Sequence, residues 1–219
     1  MKTRINNVEN HKTPLHTEYW NPNTRYIIAE GQGPDTNAAA DLAYEIMARD
    51  GHRSWREMLA QNATMTIEHW FGVSIDKHTW AHPWSAGPAA TIVRRLFGVR
   101  PLKAGSTTIA IHPQPPRNMS YGATTVPTLR GTVAVSFKRI ESIDSNQATT
   151  GFTLNVTVPT STMADVCLPA ALLPLDPVLF LDGVVVASSR PQRSQLCLAG
   201  LLGGGSYTVQ ARARGAHVT

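Results

Sequence analysis

The spacing of hydrophobic residues changes near residue 100 of this 219-residue chain. Before that point, apolar residues recur every three to four positions, as on one face of an α-helix. The clearest example is residues 35–50, DTNAAADLAYEIMARD. Its apolar face comprises Ala39, Leu42, Ala43, Ile46 and Met47. Gly51 follows directly, where glycine commonly ends a helix. The segment therefore predicts an amphipathic helix.

Three more helices are expected in the first hundred residues. One begins after Ser54, because Ser54 and Glu57 have the spacing of a capping box. Another covers about 84–97, with a proline in its first turn and Gly98 at its end. A further helix falls within 14–30. The connection between Gln61 and Ser85 has no regular pattern, and connections of that length are usually functional.

After residue 100 the pattern alternates with a period of two, which is typical of β-strands. GTVAVSFKR (131–139) and GFTLNVTVP (151–159) show it best. Further predicted strands are TTIAIHP, MADVCLP, VLFLDGVVV, SQLCLAG and SYTVQARA. Asp182-Gly183 predicts a two-residue hairpin turn. Helices followed by strands indicate two domains, a helical one over 1–100 and an antiparallel β-sandwich over 101–219.

Composition narrows the classes of function. The net charge is +5, yet no run of five like charges occurs, which disfavours a nucleic-acid interface. No apolar stretch of 18 residues is present, so no membrane span is expected. The first residues contain no apolar core of a secretory signal, which makes the cytoplasm the default expectation.

The two cysteines, Cys167 and Cys197, belong to no CxxC pair. A structural zinc site is therefore not expected. Both lie in apolar segments predicted to be strands. We expect two buried free thiols, with a single disulfide as the alternative.

The stretch from Ala63 to Gly98 holds the candidate chemistry. It combines one carboxylate, Glu68, with aromatic rings and histidines: Trp70, Phe71, Trp80, Trp84, His69, His78 and His82. Sugars stack on indole rings and exchange hydrogen bonds with polar groups, so a carbohydrate site is one interpretation. A solvent-facing acid and an aromatic plug that holds the loop in place are the alternatives. Pro83 argues against a helical pair of His78 and His82, and no HExxH motif is present, so neither a metal nor another cofactor is expected.

Longer motifs show a resemblance to a known family. The ordered set PLHTEYW, AYEIMARDG, SWREML, ATMTIEHW, TWAHPWSAGPA, RLFGVRPLKAG, IHPQPP and VPTLRGTVAVSF resembles the C-terminal portion of bacterial-type α-L-rhamnosidases, glycoside hydrolase family seventy-eight. The resemblance extends from about residue 14 to the end. It implies an incomplete set of (α/α)6-barrel helices followed by an antiparallel β-sandwich.

The resemblance assigns roles to a few residues. Within ATMTIEHW, Glu68 matches the family's acid and would be the general base of an inverting hydrolysis. His82 would hydrogen-bond the bound rhamnose, and Trp70 would shape the pocket. Trp80 and Trp84 would lie near the site. An L-rhamnoside is thus the expected carbohydrate ligand.

The same resemblance leaves one catalytic group unassigned. Inverting hydrolysis uses two carboxyl groups, and the family's general acid lies in the first half of the barrel, which has no match here. We expect the chain to be the C-terminal part of such an enzyme, with the missing N-terminal half or a second copy as its partner. A non-catalytic carbohydrate-binding or structural relic is the alternative. On either view the isolated chain would not hydrolyse rhamnosides.

Overall fold

A computed structural model describes residues 36–51, 54–68, 79–141, 149–174, 176–187, 191–192 and 195–213. The helix expected within 14–30 lies outside these residues. Within them the protein is mostly β, with two sheets and a few short helices. No helix in the described part is long and apolar enough to cross a membrane.

The α-helices of the described residues precede the strands. They are α1 (Thr36–Ala48), α2 (Trp55–Ala60) and α3 (Gly87–Thr91), with a 3-10 turn at Pro83–Ala86 and a π-helical turn at Ile92–Leu96. The serine half of the predicted capping box is confirmed at α2, because the Ser54 hydroxyl accepts a hydrogen bond of 3.1 Å from the Glu57 N–H. Gly51, which was predicted to end α1, lies three residues beyond Ala48 and has a positive φ of 103°.

The helix predicted over 84–97 is three consecutive helical pieces. Pro88 lies at the start of α3, where its missing N–H costs little. The Phe97 N–H reaches back five residues to the Ile92 carbonyl, which widens the last turn. Gly98 then turns the chain into the first strand with a φ of 72°. A Cβ at this position would overlap the His112 carbonyl, so only glycine fits.

Eleven strands form two sheets in the described residues. Their bounds are β1 (Val99–Pro101), β2 (Thr108–Ile111), β3 (Tyr121–Thr128), β4 (Gly131–Glu141), β5 (Thr149–Val158), β6 (Met163–Pro169), β7 (Pro177–Leu181), β8 (Val184–Val185), β9 (Pro191–Gln192), β10 (Gln195–Leu202) and β11 (Gly205–Ala213). One sheet has the order β1-β2-β6-β10-β9 and the other β3-β4-β5-β11-β7-β8. All the strands that the alternation predicts are present. The Asp182-Gly183 hairpin joins β7 to β8.

Two features of the sheets differ from the expectation. The pair β2–β6 is parallel, so the sandwich is not wholly antiparallel. This follows from connectivity: the chain crosses to the other sheet for β3, β4 and β5 before it returns as β6. The short strands β1 and β9 and the longer β3 were not predicted. β3 consists mainly of small residues, so it lacks the alternation of large apolar residues seen in β4 and β5. It also contains Pro127, which is tolerated because β3 is an edge strand.

The main core lies between the two sheets. Its largest fully buried side chains come from both: Ile109, Ile111, Val166 and Leu168 from one, and Val133, Val135, Phe152, Leu154, Val156, Val158 and Val209 from the other. Phe152 stacks on Phe137 at 5.8 Å, and Phe137 contacts Phe97 at 5.7 Å between ring centroids. Phe97 follows the π-helical turn, so the helical region inserts a ring directly into the core of the sandwich.

The expectation of free thiols is wrong, because Cys167 and Cys197 form a disulfide. The two residues face each other directly in the β6–β10 register. Their Cα atoms are 4.0 Å apart, which brings the sulfur atoms within bonding reach. The strand pattern placed each cysteine on a strand, but it carried no information about which strands pair.

Candidate functional site

Glu68 is held by the chain segment that lies beside it. The Glu68 N–H donates to the Thr79 carbonyl at 3.0 Å, and the Thr79 N–H donates to Glu68 Oε2 at 2.9 Å. The side chain is half-buried. One carboxylate oxygen therefore accepts a hydrogen bond from a main-chain donor, which restricts the orientation of the acid.

His82 is joined to the same segment two residues upstream. The His82 N–H donates to the Thr66 carbonyl at 2.7 Å, and Thr66 Oγ1 donates to the His82 carbonyl at 2.8 Å. Residues 66–68 and 79–82 therefore run alongside each other. The structure thus places the two segments that carry Glu68 and His82 side by side.

A small buried cluster lies beneath these segments. Met47 of α1, Trp55 and Met58 of α2, and Ile67 pack together away from the core of the sandwich. Ser85 is buried beside them and donates from Oγ to the Ile67 carbonyl at 2.6 Å. The indole Nε1–H of Trp55 donates to the Ser85 carbonyl at 2.6 Å. The loop that carries Glu68 is thereby fastened to α2.

Thr66 and Ser85 were not among the site residues predicted from the sequence. Both are small polar residues next to the site, Thr66 two positions before Glu68 and Ser85 three positions after His82. A hydroxyl that flanks a predicted site residue in an irregular stretch is a usable signal, since irregular backbone needs side-chain partners.

The predicted aromatic residues have different outcomes. Trp80 is about half exposed, at 51%. The backbone of Trp84 is not extended, because it lies in the 3-10 turn Pro83–Ala86. An extended backbone from Trp80 to Trp84 would place the side chains of Trp80, His82 and Trp84 on one side, but the backbone turns at Pro83–Ala86. Trp70 lies outside the described residues, as do Phe71, His69 and His78.

An apolar groove lies elsewhere in the described residues. It has a volume of about 620 Å³ and lies between the helices and the edge strand β3, with Met47, Leu59, Ile92 and Tyr121 in its lining. Neither Glu68 nor His82 lines it. Across the described ranges, no three or more His, Cys, Asp or Glu side chains come together as a metal site would require.

Known proteins match part of the sandwich. Residues 98–173 match the C-terminal domain of bacterial α-L-rhamnosidases. The chain is similar to a C-terminal portion of these enzymes. An α-L-rhamnosidase from Alteromonas sp. (strain LOR) is 25% identical over 137 residues, which cover 59% of this chain and 14% of the relative.

Solved α-L-rhamnosidase structures share the fold. The enzyme from Dictyoglumus thermophilum superposes with a TM-score of 0.67 at 20% identity, over 79% of this chain and 19% of that one. The Streptomyces avermitilis enzyme, solved with L-rhamnose, gives 0.63 at 20% identity, over 80% and 16%. The Aspergillus terreus enzyme gives 0.52 at 21% identity, over 61% and 15%. The chain therefore spans less than a fifth of the length of these relatives.

Proposed function

We propose that this chain is the C-terminal part of an α-L-rhamnosidase-like inverting glycoside hydrolase. The observation that carries the proposal is the match of residues 98–173 to the C-terminal domain of the bacterial enzymes. In this proposal residues 1–100 supply the terminal helices of an (α/α)6 barrel, and residues 101–219 supply the β-sandwich behind it. The insertion of Phe97 into the core of the sandwich supports a fixed junction between the two.

Glu68 would act as the general base. In an inverting mechanism the base removes a proton from water as the water oxygen attacks the anomeric carbon, while the bond to the leaving oxygen breaks on the opposite face. A base must be oriented to do this. The main-chain hydrogen bond from Thr79 supports the role, since it fixes one oxygen of the Glu68 carboxylate.

The remaining predicted residues would hold the sugar. His82 would hydrogen-bond the rhamnose hydroxyls, and its main chain already pairs with Thr66, next to the loop that carries Glu68. Trp80 is exposed enough to offer its ring to an apolar sugar face. Trp70 and Trp84 complete the proposed pocket.

The general acid would come from polypeptide outside the matched region. More than four-fifths of the length of each relative lies outside the part that this chain matches. Proton delivery to a leaving group typically contributes about 100-fold to 10,000-fold in rate. A chain with the base alone should therefore fail on ordinary aryl α-L-rhamnosides. It should still act on α-L-rhamnosyl fluoride, because fluoride leaves without being protonated.

This contrast provides the test. The purified chain is assayed with 4-methoxyphenyl α-L-rhamnoside and with α-L-rhamnosyl fluoride. We expect no turnover of the first, and hydrolysis of the second above the buffer blank with β-L-rhamnose as the first product. Glu68→Gln should abolish the fluoride reaction and leave the melting temperature nearly unchanged. Glu45→Gln, an exposed acid on α1, serves as the matched control. Equal rates for the chain and Glu68→Gln would refute the base assignment.

The second candidate function is a carbohydrate-binding relic of such an enzyme. The half-exposed indole of Trp80, two residues from His82, favours this alternative. A relic would bind L-rhamnose with chemical-shift changes at Trp80 and His82, yet show no Glu68-dependent hydrolysis of either substrate. Glu68-dependent hydrolysis of the fluoride would exclude it.

A further inference from the structure

We propose that Thr66 and Ser85 are positioning residues that hold the main chains of Glu68 and His82 in a fixed relation. The consequence for catalysis rests on the function proposed above for those two residues. The positioning itself is a property of the fold and can be measured without any substrate.

The inference starts from the hydroxyl groups. Two hydroxyls converge on one acceptor, the His82 carbonyl, with Thr66 Oγ1 at 2.8 Å and Ser85 Oγ at 3.1 Å. A serine hydroxyl has one hydrogen. Since Ser85 Oγ is closer to the Ile67 carbonyl, at 2.6 Å, its proton is directed mainly there. Ser85 therefore holds the residue next to Glu68, and Thr66 holds His82.

Burial makes these hydrogen bonds matter. Ser85 is 2% exposed and Ile67 is 3% exposed, so water does not readily replace the serine as the donor to the Ile67 carbonyl. Loss of a partner from a buried polar group leaves that group unsatisfied, which is costlier than the loss of a surface hydrogen bond. Removal of the Ser85 hydroxyl should therefore displace the loop.

Ser85 is itself anchored to a helix. The Trp55 indole donates to its carbonyl, and Trp55 is the first residue of α2, whose N-terminus is capped by Ser54. A continuous chain of contacts thus runs from a capped helix to Ser85, and from Ser85 to the residues beside Glu68 and His82. Sites supported by packed secondary structure are held more precisely than sites on free loops.

The expected effect on catalysis is large for a small displacement. A misplacement of about 1 Å at a reacting group can cost on the order of 100-fold in rate. Neither hydroxyl needs to touch the substrate for this effect. Thr66 and Ser85 act through Glu68 and His82.

The test measures amide hydrogen exchange by NMR on the whole 219-residue chain. The variants are Ser85→Ala and Thr66→Val, with Thr66→Ser as the conservative rescue and the exposed Thr64→Val as the matched control. In Ser85→Ala and Thr66→Val, we expect exchange at the Glu68 and His82 amides to be at least tenfold faster. Amides of the sandwich core, such as Val135, should keep their rates. Thr66→Ser and Thr64→Val should match the parent chain.

Each outcome decides the proposal. Unchanged exchange at Glu68 and His82 would overturn it, and so would a uniform increase across α1, α2 and the loop, because that pattern indicates a merely structural role. Local acceleration with rescue by Thr66→Ser would establish the positioning role. Hydrolysis of α-L-rhamnosyl fluoride is followed in the same variants. If the parent chain shows Glu68-dependent hydrolysis, we expect it to fall at least tenfold in Ser85→Ala. If the parent chain has none, the proposed function fails while the exchange result still stands.

Discussion

The bond between Cys167 and Cys197 should supply a large share of the stability of the sandwich. It joins residues separated by 30 positions. A cross-link of that span lowers the entropy of the unfolded chain by about 12 cal/mol/K, which stabilises the fold by about 3.6 kcal/mol near room temperature. With a urea dependence of about 2 kcal/mol/M, its loss should lower the unfolding midpoint by roughly 1.8 M.

The assay is urea unfolding with and without a phosphine reductant, followed by the far-ultraviolet circular dichroism of the β-sheets, because all the tryptophans lie before the sandwich. Reduction of the parent chain removes the cross-link without creating a cavity. The C167A/C197A double variant should unfold near the reduced parent and show no further response to reductant. A midpoint that reductant does not move, or two titratable thiols in the denatured, unreduced chain, would refute this prediction.

Two further substitutions test how the helical region joins the sandwich. Gly98→Ala should destabilise the chain by at least about 2 kcal/mol, because a positive φ and the close His112 carbonyl both oppose a side chain. Gly183 also has a positive φ, but the space around it is open. The melting temperature should therefore fall less in Gly183→Ala than in Gly98→Ala. Asp41→Asn weakens the ion pair between Asp41 of α1 and Arg117. The guanidinium nitrogen and the carboxylate oxygen of this pair are 2.8 Å apart, and both side chains are partly exposed. We expect a loss of up to about 1 kcal/mol in urea unfolding that shrinks at high salt. If salt does not change the loss in the free energy of unfolding, packing and not charge joins the helical region to the sandwich.

Local sequence patterns predicted most strands, because a strand that buries one face has apolar residues at every second position. Val133, Val135 and Phe137 alternate with small or polar residues, and all three are buried. The Asp182-Gly183 turn was equally predictable, since both residues adopt the positive φ that such hairpins require. The edge strand β3 was missed because its exposed and half-buried residues are small, so its periodicity carries little hydrophobic contrast.

Pairing between distant segments was not predictable from one sequence. The disulfide depends on the register between β6 and β10, and the parallel pair β2–β6 depends on how three intervening strands cross to the other sheet. The same holds for the candidate site. Glu68 and His82 were identified from their chemistry and the family resemblance, whereas the support from Ser85 depends on where α2 places Trp55.

The position of β11 has a consequence for how the protein is made. β11 lies between β5 and β7 and is hydrogen-bonded to both, although it is the last strand along the described chain. The six-stranded sheet therefore cannot close on the ribosome until residues 205–213 have been synthesised. A product terminated before Gly205 would leave β5 and β7 with open edges, which are free to pair with strands of other chains.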